Sequence, residues 1–194
     1  MLRKILIALA VLACGYLILC FAAPKSMDTS VTKQLKASPE ALYAYVSDLR
    51  LWPMWSPWAA MDPKTINTYS DVSNAVGSTN AWKSNHEYVG NGNQTFTELI
   101  PNQKVAAKMA FDDMPGPPSY ANMTFKAVNG GTEVKWSMDS TGTQPLLMRG
   151  MMFAMNAKGM LEQQFGDGLA KLDSLALAAP IAAPVAADST VKKK

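Results

Sequence analysis

Cysteine is nearly absent from this chain of 194 residues: there are two, Cys14 and Cys20, and both lie in one apolar run near the N-terminus. The remainder therefore has no disulfide, no thiolate nucleophile and no cysteine-based zinc site. Histidine is rarer still. His86 stands alone, so no pair of imidazoles can hold a metal. Charge is scarce, at 17% Asp, Glu, Lys and Arg, where about a quarter is usual. From Thr29 to Ala176 the chain carries 12 Lys plus Arg against 13 Asp plus Glu, and the formal net charge of +3 comes from the ends, at Arg3, Lys4 and Lys192 to Lys194. A domain without a basic face cannot neutralise a row of phosphates, so nucleic acid is not the expected partner.

Apolar residues are plentiful, at 48%, and their first concentration is the uncharged run from Ile5 to Ala23, closed by Pro24 and Lys25. As a helix it would rise about 28 Å, close to the hydrocarbon thickness of a bilayer. Three readings fit residues 1–24. The length favours an uncleaved transmembrane anchor. A cleaved signal peptide would use Cys20-Phe21-Ala22 as its small-x-small site, and a lipoprotein signal would use Val11-Leu12-Ala13 before Cys14. The apolar Tyr16–Ala22 stretch disfavours the last. Arg3 and Lys4 before the run place the N-terminus inside and the domain outside the cytoplasm, at the outer face of an inner membrane. With signal cleavage the domain would instead be released to the periplasm.

Residues 25–30 read as a linker, 31–177 as one compact domain, and 178–194, rich in Ala and Pro and ending in three lysines, as a disordered tail. Val31 to Ala37 alternates with period two, as a half-buried strand does. Ser38-Pro39-Glu40 is a helix start: a capping hydroxyl, a proline suited to the first turn, and an acid at the positive end of the dipole. Leu42, Tyr45, Val46 and Leu49 form its apolar face. Strands follow over 76–83, 94–100, 104–111, 120–128 and 132–138, separated by Gly, Pro and Asn turns. From Pro145 to Leu175 the period becomes helical, which predicts one long helix bent at Gly159. The order is strand, two short helices, five or six antiparallel strands and a long helix. Only the inner strand faces are apolar, so a single curved sheet must wrap something, and the long helix is the obvious filler.

Four signatures give this chain a family likeness: Lys36 to Trp58 (KASPEALYAYVSDLRLWPMWSPW), Val76-Gly77-Ser78 with Trp82, Gly131 to Trp136 (GTEVKW), and Phe165 to Leu172 (FGDGLAKL). With them the chain resembles the SRPBCC or START-like superfamily, in its polyketide cyclase/dehydrase-like branch. The resemblance spans Val31 to Leu175. It implies an α+β helix-grip fold, with a curved antiparallel sheet around a long C-terminal helix, here preceded by a transmembrane helix. It also implies a deep cavity for lipids, sterols, quinones or polyketides. It transfers no catalytic residue, since members share a cavity more than a chemistry.

Strand parity and the helical period nominate the cavity lining: Trp58, Trp82, Met109, Phe111, Tyr120, Met123, Phe125, Trp136, Met138, Met151, Met155 and Phe165, with His86 and Asn80 as polar anchors. Trp52 and Trp55 read as core. Met148, Met151, Met152, Met155 and Met160 form a methionine-rich stretch that suits a deformable apolar lining better than copper(I), which normally adds His or Cys. Asp112 and Asp113 sit in a Pro/Gly loop and read as a solvated turn on a lid. The expected function is binding of a hydrophobic small molecule by a membrane-tethered domain, with no cofactor and no metal. A cyclase or dehydratase would need an inward acid or base, for which His86, Glu98 and Tyr120 are the candidates. An envelope protein-interaction module is the third reading, marked by a filled cavity and an exposed apolar patch.

Overall fold

Seven strands form one curved antiparallel sheet in the order β1-β7-β6-β5-β4-β3-β2. They are β1 (Thr29–Leu35), β2 (Ile66–Tyr69), β3 (Thr79–Lys83), β4 (Gly92–Ile100), β5 (Lys104–Phe111), β6 (Ser119–Val128) and β7 (Gly131–Ser140). Helix α1 (Leu2–Ala22) precedes the sheet. Between β1 and β2 lie α2 (Pro39–Val46), a 3-10 helix (Leu49–Met54) and α3 (Pro57–Met61). Helices α4 (Leu146–Ala154) and α5 (Ala157–Ala178) close the chain's described part. This computed structural model describes residues 1–26, 28–112, 117–140, 144–179 and 181. The 178–194 tail lies outside them beyond Ala179 and residue 181, as do most of the lid loop and Asp113.

Local chemistry starts and stops these elements where the side chains require it. Ser38 Oγ accepts from Ala41 N at 3.3 Å, with Pro39 in the first turn of α2. Asp48 Oδ1 accepts from Arg50 N at 2.9 Å and opens the 3-10 helix. A two-residue turn at Asn129-Gly130 joins β6 to β7, pairing Val128 with Gly131. Gly131 has a φ of +148, and a Cβ there would lie 1.9 Å from Leu35 O, where β1 leaves the sheet. Thr132 beside it is fully buried and its hydroxyl donates to Ala37 O at 2.7 Å.

The apolar side of the sheet meets α2 and α5. Leu42, Tyr45, Val46 and Leu49 are all buried, as their spacing predicts. Leu161, Phe165, Leu169, Leu172 and Ala176 make the inner stripe of α5. Each leucine or phenylalanine among them, fully buried, contributes about 1.5–3 kcal/mol. The helix is also latched to the β1–α2 corner, because Asp173 Oδ1 accepts from the amides of Lys36 at 3.0 Å and Ala37 at 2.9 Å.

The expected single helix over 145–175 is in fact two. The break falls at Met155 and Asn156, not at Gly159, because Asn156 takes a left-handed conformation with φ 51. Asparagine tolerates that region better than other non-glycine residues. Gly159 then permits the following turn to pass Asn156, whose side-chain nitrogen would lie 2.4 Å from a Cβ there. The interruption of the apolar pattern at Ala157 and Lys158 marks the start of α5. The short edge strand β2, only four half-exposed residues, carried no readable alternation.

Two stability outcomes follow. Gly131→Ala should lower the urea unfolding free energy by at least about 1–3 kcal/mol, from backbone strain alone, with the clash against Leu35 O adding to it. Phe165→Ala should cost about 3–5 kcal/mol by the same measurement, because it empties a fully buried aromatic site.

Candidate functional site

Between the N-terminal part of α5, around Leu161 and Gln164, and the sheet lies a cavity of about 780 Å³. That size lies within the range of roughly 300–1,000 Å³ typical of small-molecule sites. Register places its sheet wall. Asn80 pairs with Gln94 and Gln94 with Met109, so the three lie in one row across β3, β4 and β5. Trp82, Gly92 and Phe111 form the next row, and the Trp82 and Phe111 rings meet edge-on at 5.9 Å. Met138 completes this wall from β7. Opposite stand Trp52, Trp58 of α3, Met148, Met151 and Met152 of α4, Met155 at the break, and Met160, Leu161 and Gln164 of α5. Glu87, Tyr88, Lys108, Pro117 and Pro118 line the cavity too.

The lining is apolar with a small polar row. Asn80 Nδ2 donates to Asn67 Oδ1 at 3.2 Å, and Trp82 Nε1 donates to Val89 O at 3.3 Å, which fixes the indole. Gln94 is 3% exposed, and its Oε1 has no hydrogen-bond partner. A buried acceptor left unpaired costs about 1–3 kcal/mol.

Several residues nominated from sequence lie elsewhere. Trp136 and Phe165 are solid core: their rings stack at 4.2 Å, with Trp55 5.4 Å from Trp136. Met123 and Phe125 are buried under α2, with Phe125 edge-on to Tyr43 at 6.3 Å. Strand parity tells which face a side chain takes but not how far along the strand the core is filled. Tyr120 alternates with Ala121 and Met123 and takes the opposite face, between Lys108 and Asp139. Of the nominated set, Trp58, Trp82, Met109, Phe111, Met138, Met151, Met155 and Asn80 are on the wall.

His86 is a turn residue off the wall. Its Nδ1 accepts from Tyr88 N at 3.2 Å, and its own amide donates to Ser84 Oγ at 2.9 Å. The Ser84 hydroxyl in turn donates to Asp62 Oδ2 at 2.5 Å. That hydroxyl, helped by the Lys64 amide, holds the Asp62 carboxyl below the usual carboxylate range. Serine, histidine and aspartate thus meet, but the hydroxyl is bonded to the carboxylate and not to the imidazole. The arrangement braces the end of α3 against the β3–β4 connection. Glu98 lies off the wall and is ion-paired to Lys104 at 2.6 Å.

Sequence reasoning missed Trp52, Asn67, Gln94, Leu161 and Gln164. Gln94 was findable, because it shares inward parity with the buried Phe96 on β4. Trp52 was assigned to the core. It does touch Trp55 at 5.0 Å, yet its other side faces the cavity.

Solved structures share this architecture at low identity. The protein CV1439 from Chromobacterium violaceum is 16% identical, with TM-score 0.54, over 77% of this chain and 96% of that one. The Aha1 dimer from Colwellia psychrerythraea is 20% identical, with TM-score 0.52, over 76% and 94%. The di-domain ARO/CYC protein StfQ of the steffimycin biosynthetic pathway is 10% identical, with TM-score 0.59, over 79% of this chain and 52% of that one. Likenesses of this order show the fold. No curated protein matches the sequence. A family model does, over residues 36–172, from the β1–α2 corner to the last buried leucine of α5. The chain belongs to the activator of Hsp90 ATPase homolog 1-like family, within the SRPBCC superfamily.

Proposed function

We propose that this protein is a membrane-tethered carrier or sensor of a hydrophobic small molecule, held in the cavity between β3–β5 and the α4–α5 break. The observation that carries the reading is the cavity itself: about 780 Å³, walled by Trp52, Trp58, Trp82, Met109, Phe111 and the methionines of α4. Transfer of a guest's apolar surface into it is favourable by about 25 cal/mol per Å². Methionines let the wall adapt to the guest's outline. Asn80 and the unpaired Gln94 Oε1 suit a guest with one hydroxyl or similar neutral polar group at its buried end. Helix α1, 21 residues long and without a charge after Lys4, serves as the tether in this reading, and Arg3 and Lys4 at its start favour a cytoplasmic N-terminus.

The cyclase or dehydratase reading draws support from the fold shared with an ARO/CYC protein. It is weakened by the positions of His86, Glu98 and Tyr120, none of which lines the cavity.

The test uses the full chain in detergent and the apolar fluorophore diphenylhexatriene, read by energy transfer from the wall tryptophans. Saturable binding is expected. Trp82→Ala should weaken it about tenfold or more with little loss of stability, since Trp82 is half-buried at the wall. Trp136→Ala should act mainly by destabilising the fold. Absence of saturable binding by folded protein would overturn the reading.

A further inference from the structure

Helix α4 serves two surfaces at once. Met148, Met151 and Met152 face the cavity. Yet Leu147 is 59%, Met151 44% and Phe153 54% exposed, large apolar side chains that no described residue covers. Its single charge, Arg149, is turned away to the end of α1, where Nη2 donates to Ala23 O at 2.7 Å.

The contacts with α1 give this surface a level. Tyr16 OH donates to Leu147 O at 2.8 Å. One turn further on, Cys20 packs on Gly150 so closely that a Cβ there would lie 2.2 Å from Sγ and 3.2 Å from the Cys20 Cα. Gln144 N then donates to Lys25 O at 2.9 Å, beyond the end of the span. The seven steps from Tyr16 to Ala23 rise about 10 Å along a helix. If α1 crosses the bilayer, Leu147 and Gly150 lie level with its last two turns, below its polar end. That is the depth, about 5–10 Å into the headgroup and acyl boundary, at which amphipathic interfacial helices lie.

We propose that α4 is bedded in the bilayer leaflet where α1 emerges, with Leu147 and Phe153 among the acyl chains, and that the cavity exchanges its guest with that leaflet through the methionine wall of α4. One layer of deformable side chains would separate guest and lipid, so exchange would need no passage through water. The inference rests on the tether and the binding cavity proposed above. What it adds is the occupant of the exposed α4 face, a lipid bilayer, and the route of the guest.

The experiment places the full chain, with Cys14→Ser and Cys20→Ser, in phosphatidylcholine–phosphatidylglycerol vesicles and attaches a nitroxide at Phe153→Cys or, as a control, at Lys126→Cys on β6. The label at 153 should relax with dissolved oxygen and be shielded from a water-soluble nickel chelate, with the reverse at 126. Equal nickel access at both sites would overturn the proposal. So would shielding from both reagents at 153, which would mean that protein covers α4. A second arm keeps the native cysteines and introduces Leu147→Glu with Phe153→Glu, both at exposed positions. Diphenylhexatriene binding in detergent should stay within twofold, while its uptake from loaded vesicles slows at least tenfold. Unchanged uptake would contradict the proposed route. Loss of binding in detergent as well would instead count against the cavity, and release of the chain from vesicles by alkaline carbonate would count against the tether.

Discussion

The stack of Phe165 on Trp136, ring centres 4.2 Å apart and nearly parallel, divides the molecule into a filled half and an open one. Trp55 and Trp58 close on the same indole at 5.4 and 6.1 Å, so four aromatic rings make a partition between sheet and helix. On its C-terminal side α5 lays Leu169, Leu172 and Ala176 against α2 and β1 with nothing between. On its other side Met160, Leu161 and Gln164 line the cavity. Asn156 turns the chain, α4 leaves at a new angle, and the sheet's apolar face is left with methionines across a gap. A rigid partition gives the cavity a fixed floor, and the methionines give it a wall that yields.

Much of the scaffold was legible from residues. Alternation and turn signals located six of the seven strands within a few positions, Ser38 and Pro39 started α2, and Asn129-Gly130 turned β6 into β7. These are local rules, in which each residue's own backbone preference decides. The cavity boundary is not local. Trp136 and Met138 have the same parity on one strand, yet the first is core and the second wall, because only the first lies beneath Phe165 and the tryptophan-rich segment. Trp52 and Trp55 differ likewise within one 3-10 turn and its end. The helix break was misplaced by three residues because glycine at 159 is the usual suspect, while the left-handed residue is Asn156.

The methionine-rich stretch connects the levels most directly. In the sequence it is an apolar helical pattern with weak shape preference. In the fold it is a wall of the cavity built neither on the sheet nor on the aromatic partition. Its other face is open, and its helix is fastened to α1 by Cys20 against Gly150 and by Arg149 on the last carbonyls of α1. Polar residues that would make α4 comfortable in water are missing from it. The same scarcity of charge that speaks against a nucleic-acid partner at the level of composition is here concentrated where the domain meets α1.

The central claim is that the space upstream of the partition holds a guest. Native mass spectrometry of the full chain, purified in mild detergent from the membranes in which it was made, tests that most directly. The account predicts a discrete added mass of a few hundred daltons, the size that about 780 Å³ accommodates, which organic solvent removes. A spectrum of bare protein alone, together with a crystal structure in which the methionines of α4 have closed onto Trp82 and Met109, would contradict it.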